Sequence, residues 1–140
     1  MKILLVDDHE MVRLGLKSYL DLQEDVEVVA ESSNGREGVE QALELRPDVI
    51  IMDIVMPEMN GIEATMAILE TWPEAKILIL TSYLDNEKIY PVLDAGAKGY
   101  MLKTSSADEI LHAVRKVARG EVAIETEVSK KVQHHRNHIE

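Results

Sequence analysis

A chain of 140 residues with 46% apolar and 29% charged side chains fits one ordinary globular domain with enough apolar matter for a core. Its longest apolar runs, such as Ile3 to Val6 and Val49 to Met52, are a few residues each, far below the roughly 20 that span a bilayer, so no membrane partner is expected. No cysteine is present, which excludes disulfides, zinc thiolates and thiol nucleophiles, and 26 acidic against 15 basic residues give a net charge of -11 that repels nucleic-acid backbones.

The first strand is expected over Lys2 to Val6. It runs into Asp7-Asp8 instead of a small-residue cleavage site, so it is not a signal-peptide core and the chain is expected in the cytoplasm. In the first helix Val12, Leu16, Tyr19 and Leu20 make a core stripe, while Met11, Leu14 and Leu22 fall off it. That second ridge is read as a surface for a homodimer, or else as a bed for the carboxy-terminal segment. A second strand, Val26 to Glu31, precedes Asn34 as a helix cap and the stripe Val39, Ala42, Leu43, which Pro47 closes. Third comes Val49 to Met52, ending on Asp53, then the stripe Ile62, Met66, Leu69 closed by Pro73. A fourth strand, Ile77 to Leu80, ends on Thr81, and the helix after it carries Ile89, Val92 and Leu93. Pro91 removes an amide from that helix, which is expected to be short or kinked. The fifth strand, Gly99 to Leu102, ends on Lys103, and Ser106 with Glu109 is spaced as a capping box ahead of Ile110, Ala113, Val114 and Val117. Beyond about residue 120 the character changes: residues 126 to 140 carry Lys130, Lys131 and Arg136 against Glu127 and Glu140. His134, His135 and His138 there are read as part of a solvated helical tail without function.

Strands that are continuously apolar and alternate with amphipathic helices form a parallel sheet covered on both faces. The expected fold is therefore α/β, a flavodoxin-like doubly wound sheet of five strands in the order 2-1-3-4-5 with five flanking helices. In that order the residues just past strands one, three, four and five meet at one crevice: Asp7 and Asp8, Asp53, Thr81 and Lys103. Singly these are turn formers, a cap and a surface lysine. Together they make a site, because three crowded acids with hard oxygen donors call for Mg2+ or a similar ion, with Asp8 and Asp53 as preferred ligands. Mg2+ is commonly completed by a phosphoryl group, and Asp53 is placed to attack phosphorus as a nucleophile needing no general base. Lys103 would offset charge on the phosphoryl oxygens and Thr81 would donate a hydrogen bond to them. His9, expected on the first turn of a helix and facing solvent, is left out of the site. Tyr100 reads as a half-buried strand residue whose amphipathic ring can swing between inside and outside.

These residues resemble a response-regulator receiver domain, over roughly residues 1–120. The stretch Val6-Asp7-Asp8-His9-Glu10-Met11-Val12-Arg13 and the stretch Ala95-Gly96-Ala97-Lys98-Gly99-Tyr100-Met101-Leu102-Lys103 are similar to the NarL/FixJ class, most like cell-envelope-stress regulators of Gram-positive bacteria. The resemblance implies Asp53 as phosphoacceptor from a sensor histidine kinase, Thr81 and Tyr100 as switch residues, and Lys103 as the family's lysine. It implies metal ligation by Asp8, Asp53 and the carbonyl of Val55, with Asp7 acting through water. It further implies a DNA-binding helix-turn-helix domain absent from this chain, toward which residues 121–140 would lead, and transcription controlled through it. Thr104 stands where many relatives have proline, which leaves the isomer of the Lys103-Thr104 bond open. A competing reading is an Mg2+-dependent phosphohydrolase of the haloacid-dehalogenase type, which needs an acid two residues after its nucleophile, where this chain has Val55. A flavodoxin-like electron carrier would need a glycine- and hydroxyl-rich loop where Asp7-Asp8-His9-Glu10 stands.

Overall fold

The computed structural model describes the backbone of residues 1–139 and the side chains of residues 1–133. Strands and helices alternate through the chain: β1 (Lys2–Val6), α1 (Glu10–Asp21), β2 (Glu27–Ser32), α2 (Gly35–Leu45), β3 (Val49–Met52), α3 (Gly61–Thr71), β4 (Ile77–Thr81), α4 (Asn86–Asp94), β5 (Gly99–Leu102), α5 (Ala107–Ala118), β6 (Ala123–Ile124) and α6 (Thr126–Ile139). The sheet is parallel throughout, in the order β2-β1-β3-β4-β5-β6. The expected order of the first five strands is found, but the expected count is corrected: among the described residues there are six strands and six helices. The sixth strand has only two residues, in the short apolar run Val122-Ala123-Ile124. It exists because Ala123 N donates to Lys98 O at 3.0 Å and Glu125 N to Tyr100 O at 2.9 Å, a pairing that the neighbouring β5 imposes.

Continuous apolar strands are explained by two cores, one on each face of the sheet. In β1, Ile3 and Leu5 join Leu20 of α1 and Ile110, Leu111, Val114 and Val117 of α5. Alternate residues Leu4 and Val6 join Ala42 of α2, Ala64 and Ile68 of α3, and Ile89 and Val92 of α4. The same division holds along β3 and β4, as the period of two requires. Val128 of α6 is fully buried in the second of these cores, with Val132 packed against it. Tyr90 of α4 donates its hydroxyl to Lys131 O at 3.0 Å. The segment after residue 120 therefore lies on the α4 face and not on the α1 ridge. Side chains of His134, His135 and His138 lie outside the described residues.

Local signals hold in detail. Asn34 accepts from Glu37 N at 2.8 Å, and Ser106 with Glu109 forms the capping box, as does the pair Asn60 and Glu63, which was not anticipated. Pro47 and Pro73 stand just beyond α2 and α3, and α4 with Pro91 inside it has only nine residues. Strand β2 begins one residue later than expected, because its pairing with β1 starts at Lys2 opposite Glu27. All peptide bonds of the described residues are trans, Lys103-Thr104 included.

Gly61 opens α3 directly against the end of β3. A Cβ there would collide with the carbonyl of Asp53 and the Cα of Ile54, and Gly61 N donates to Ile54 O at 2.7 Å. Gly61→Ala should therefore lower unfolding stability by about 1–3 kcal/mol, the usual cost of overpacking. A urea titration reads this as a lower midpoint at unchanged slope.

Candidate functional site at the carboxyl ends of the strands

Parallel strands deliver their last residues to one edge of the sheet, and hydrogen bonds carry the ladder slightly past the strands. Asp7 N donates to Ser32 O at 3.0 Å, Asp53 N to Val6 O at 2.9 Å, and Lys103 N to Thr81 O at 2.9 Å. Asp7, Asp8, Asp53, Thr81 and Lys103 are thereby set at neighbouring positions, as the sequence led one to expect. Asp53 and Asp7 are buried, at 3% and 7% exposure, while Asp8 stays exposed. Asp53 Oδ1 accepts from Ile54 N at 2.7 Å. Arg13 of α1 donates through its Nη1 to the carbonyl of Asp7 and lies 3.4 Å from Glu31 on β2, tying the turn after β1 to both elements.

Lys103 Nζ is 2.8 Å from Asp7 Oδ2 and 2.9 Å from Asp53 Oδ2. Burial is the largest influence on this ammonium and pushes its pKa down, but the hydrogen bonds and charges of Asp53 and Asp7 outweigh it, and the net direction is upward. One ammonium cannot neutralise three carboxylates. Two like charges about 4 Å apart cost roughly 4 kcal/mol at an effective dielectric constant of 20, so the crevice carries an excess of negative charge that a divalent cation relieves.

Thr81 Oγ1 is fully buried and has no hydrogen-bond partner, a position that normally signals a missing acceptor. Tyr100 corrects the expectation of a half-buried ring: it is fully buried, because β5 is covered on that face by the core that includes Val92 and Val128. Its hydroxyl donates to Tyr83 O at 2.8 Å, and burial pushes the phenol well above its usual range, with smaller contributions from Asp85 and Asp53. Val55, two residues beyond Asp53, has an exposed side chain. Met11, Leu14 and Leu22 are exposed on α1 at 77%, 57% and 79%.

His9, expected on a helix's first turn and facing solvent, is exposed, but its ring also meets the acid pair. It is the N-cap of α1, not part of its first turn, and its amide donates to Asp7 Oδ1 at 2.8 Å. Its ring nitrogen Nδ1 then sits 2.9 Å from Asp7 Oδ1. The signal available was adjacency to the acid pair at a helix start. Asp7, Asp8, His9 and Asp53 offer ligand atoms all within 4.8 Å of one another. Carboxylate oxygens of this kind suit a hard divalent cation such as Mg2+, so the donor set fits the ion that the acid cluster implied.

Comparison with known proteins agrees with this geometry. Residues 3–115 match the family model of the response regulator receiver domain. This chain belongs to that family. It is 52% identical over 132 residues to the transcriptional regulatory protein LiaR of Bacillus subtilis, covering 94% of this chain and 63% of the relative. It is 50% identical over 133 residues to the response regulator protein VraR of Staphylococcus aureus, covering 95% and 64%. The chain thus spans somewhat under two thirds of the length of these curated relatives. Among solved structures, a LuxR-family two-component response regulator from an Aurantimonas species superposes with a TM-score of 0.90 at 32% identity, covering 96% of each chain. The haloacid-dehalogenase alternative finds no support, since Val55 offers no acid. No helix among the described residues is long and apolar enough to cross a membrane.

Mg2+ should raise the thermal unfolding temperature of this receiver progressively, by about 2.7 kcal/mol of stability at a hundredfold excess over its Kd. Asp8→Ala should remove most of that gain while raising the metal-free stability through relief of repulsion. Differential scanning calorimetry with and without Mg2+ measures both.

Proposed function

We propose that this receiver is a phosphorylation-activated switch of a two-component system, with Asp53 accepting a phosphoryl group from a sensor histidine kinase. A buried carboxylate beside a lysine and an orphaned threonine hydroxyl is the observation that carries this reading. An oxygen of Asp53 attacks phosphorus, the bond from phosphorus to the donor imidazole nitrogen breaks, and that imidazole takes a proton from solvent. Bound by Asp8, Asp53 and the carbonyl of Val55, with Asp7 through water, Mg2+ would supply positive charge to the phosphoryl oxygens. Lys103 leaves part of its pairing with Asp53 to hold one of those oxygens, and Thr81 donates its unused hydrogen bond to another. The phosphoryl group carries about -1.5 to -2 charges where the carboxylate carried -1, and brings three acceptor oxygens, which favours the conformation that satisfies them. Tyr100 then repositions behind Thr81, exchanging its bond to Tyr83 for another environment, and the surface around α4 and β5 changes shape. The chain works in the cytoplasm as a switch and not as a turnover enzyme.

The reading extends to the intact protein. Residues 1–120 form the phosphoacceptor unit, and residues 121–140 lead toward a helix-turn-helix domain through which DNA is bound and transcription controlled. That the relatives are a transcriptional regulatory protein and a response regulator protein supports this. The ridge Met11, Leu14 and Leu22 forms part of a homodimer interface on phosphorylation. It is apolar and exposed, and α6 lies on the α4 face instead of covering it.

Incubation with a small acyl phosphate and Mg2+ should add one phosphoryl mass to the chain by intact mass spectrometry, and Asp53→Asn should abolish the addition. Equal labelling of the variant would defeat the assignment. Met11→Ala should weaken self-association of the phosphorylated chain in sedimentation velocity without changing its labelling; unaltered association would remove the ridge from the interface.

A further inference from the structure

His9 is used by no step above, yet while its side chain is 59% exposed, its Nδ1 faces the crevice. Its Nδ1 is 2.9 Å from Asp7 Oδ1, 3.3 Å from Asp8 Oδ1 and 3.7 Å from Asp53 Oδ2. The same nitrogen is 3.1 Å from Lys103 Nζ. A lone pair on Nδ1 can accept from Lys103, yet either state of this nitrogen leaves one of its close contacts unfavourable. With a hydrogen on Nδ1, the N–H faces an ammonium that can only donate; with a lone pair there, it faces carboxylate oxygens that can only accept. A cation between them makes every one of these lone pairs favourable. Donors sharing one ion at roughly 2.1 Å stand about 3.0 Å apart across an octahedral edge and about 4.2 Å apart when opposite. The distances from His9 to Asp8 and Asp53, the two acids read as direct ligands, lie within that interval.

We propose that His9 is a nitrogen ligand of this cation site, so that the receiver binds divalent transition metals that favour imidazole, such as Mn2+ and Co2+, more tightly than an all-oxygen site would. This rests on the reading of Asp53 and its neighbours as a metal- and phosphoryl-binding site. Mg2+ prefers hard oxygen donors and retains water, so an imidazole adds little to its binding, whereas Mn2+, and still more Co2+, gains from nitrogen. The metal specificity of the switch is then set by the residue that follows the acid pair.

Electron spin-echo envelope modulation of Mn2+ bound to the full chain reads nitrogen ligation directly. Wild type should show nitrogen modulation, and His9→Gln should lose it with Mn2+ still bound. In calorimetric titrations His9→Gln should weaken Co2+ about tenfold, the order by which changes around a metal site alter affinity, while Mg2+ affinity should move far less. His134, His135 and His138 are present in both proteins, so the difference between them isolates His9. Mn2+ bound without nitrogen modulation, modulation that survives His9→Gln, or equal losses for Mg2+ and Co2+ would overturn the role of His9 and leave the phosphoryl site standing. If Asp8→Ala and Asp53→Asn leave the binding of both ions unchanged, the cation site itself falls, and His9 with it.

Discussion

The organising constraint in this molecule is an unbalanced charge. Asp7 and Asp53 are withdrawn from solvent at the carboxyl edge of the sheet, Asp8 and His9 stand beside them, and Lys103 supplies the single ammonium that touches both buried acids. Such a cluster is unfavourable by itself, because burial weakens the hydration of each carboxylate and proximity makes them repel. The fold tolerates it because the acids lie past the strands, where ladder hydrogen bonds hold the backbone and the side chains need not repack the core. What is a liability for stability is therefore a preformed receptor for positive charge.

The platform beneath the site is rigid for a simple reason. Every central strand divides its residues between two separate cores, so neither face of the sheet is free to slide. Close approach of α3 to the end of β3 at Gly61 leaves no room for a side chain and clamps the backbone that carries Asp53. On the other side, Arg13 joins the turn after β1 to α1 and β2. These connections fix the acids from three directions, while the β4–α4 loop is joined to β5 through the bond from Tyr100 to Tyr83.

Tyr100 also links the crevice to the end of the chain. Its hydroxyl holds the loop after β4, and its carbonyl accepts from Glu125, just beyond β6. Helix α6 continues from there onto α4, where Val128 is buried and Lys131 receives the Tyr90 hydroxyl. Strand β5, α4 and the segment after residue 120 thus form one packed unit adjoining Thr81.

Much of this was legible in residue order. Apolar runs alternating with one-sided helical stripes led to the first five strands and their order, because burial on both faces removes the polar alternation of an exposed strand. The acids, Thr81 and Lys103 could be grouped from sequence because parallel topology sends all carboxyl ends to the same edge. Asn34 and the capping pair Ser106 and Glu109 were readable because a cap is a local bond. Tertiary structure alone decided the rest. Strand β6 has two residues and takes its conformation from β5, Tyr100 is sealed by helices distant in sequence, and α6 finds its place through Val128. His9, though exposed, points its Nδ1 toward the acids, an orientation that sequence spacing does not encode. Local patterns specify which faces must be buried and which residues end each strand; only the packed molecule specifies which distant surface buries them and which way a side chain at a turn will point.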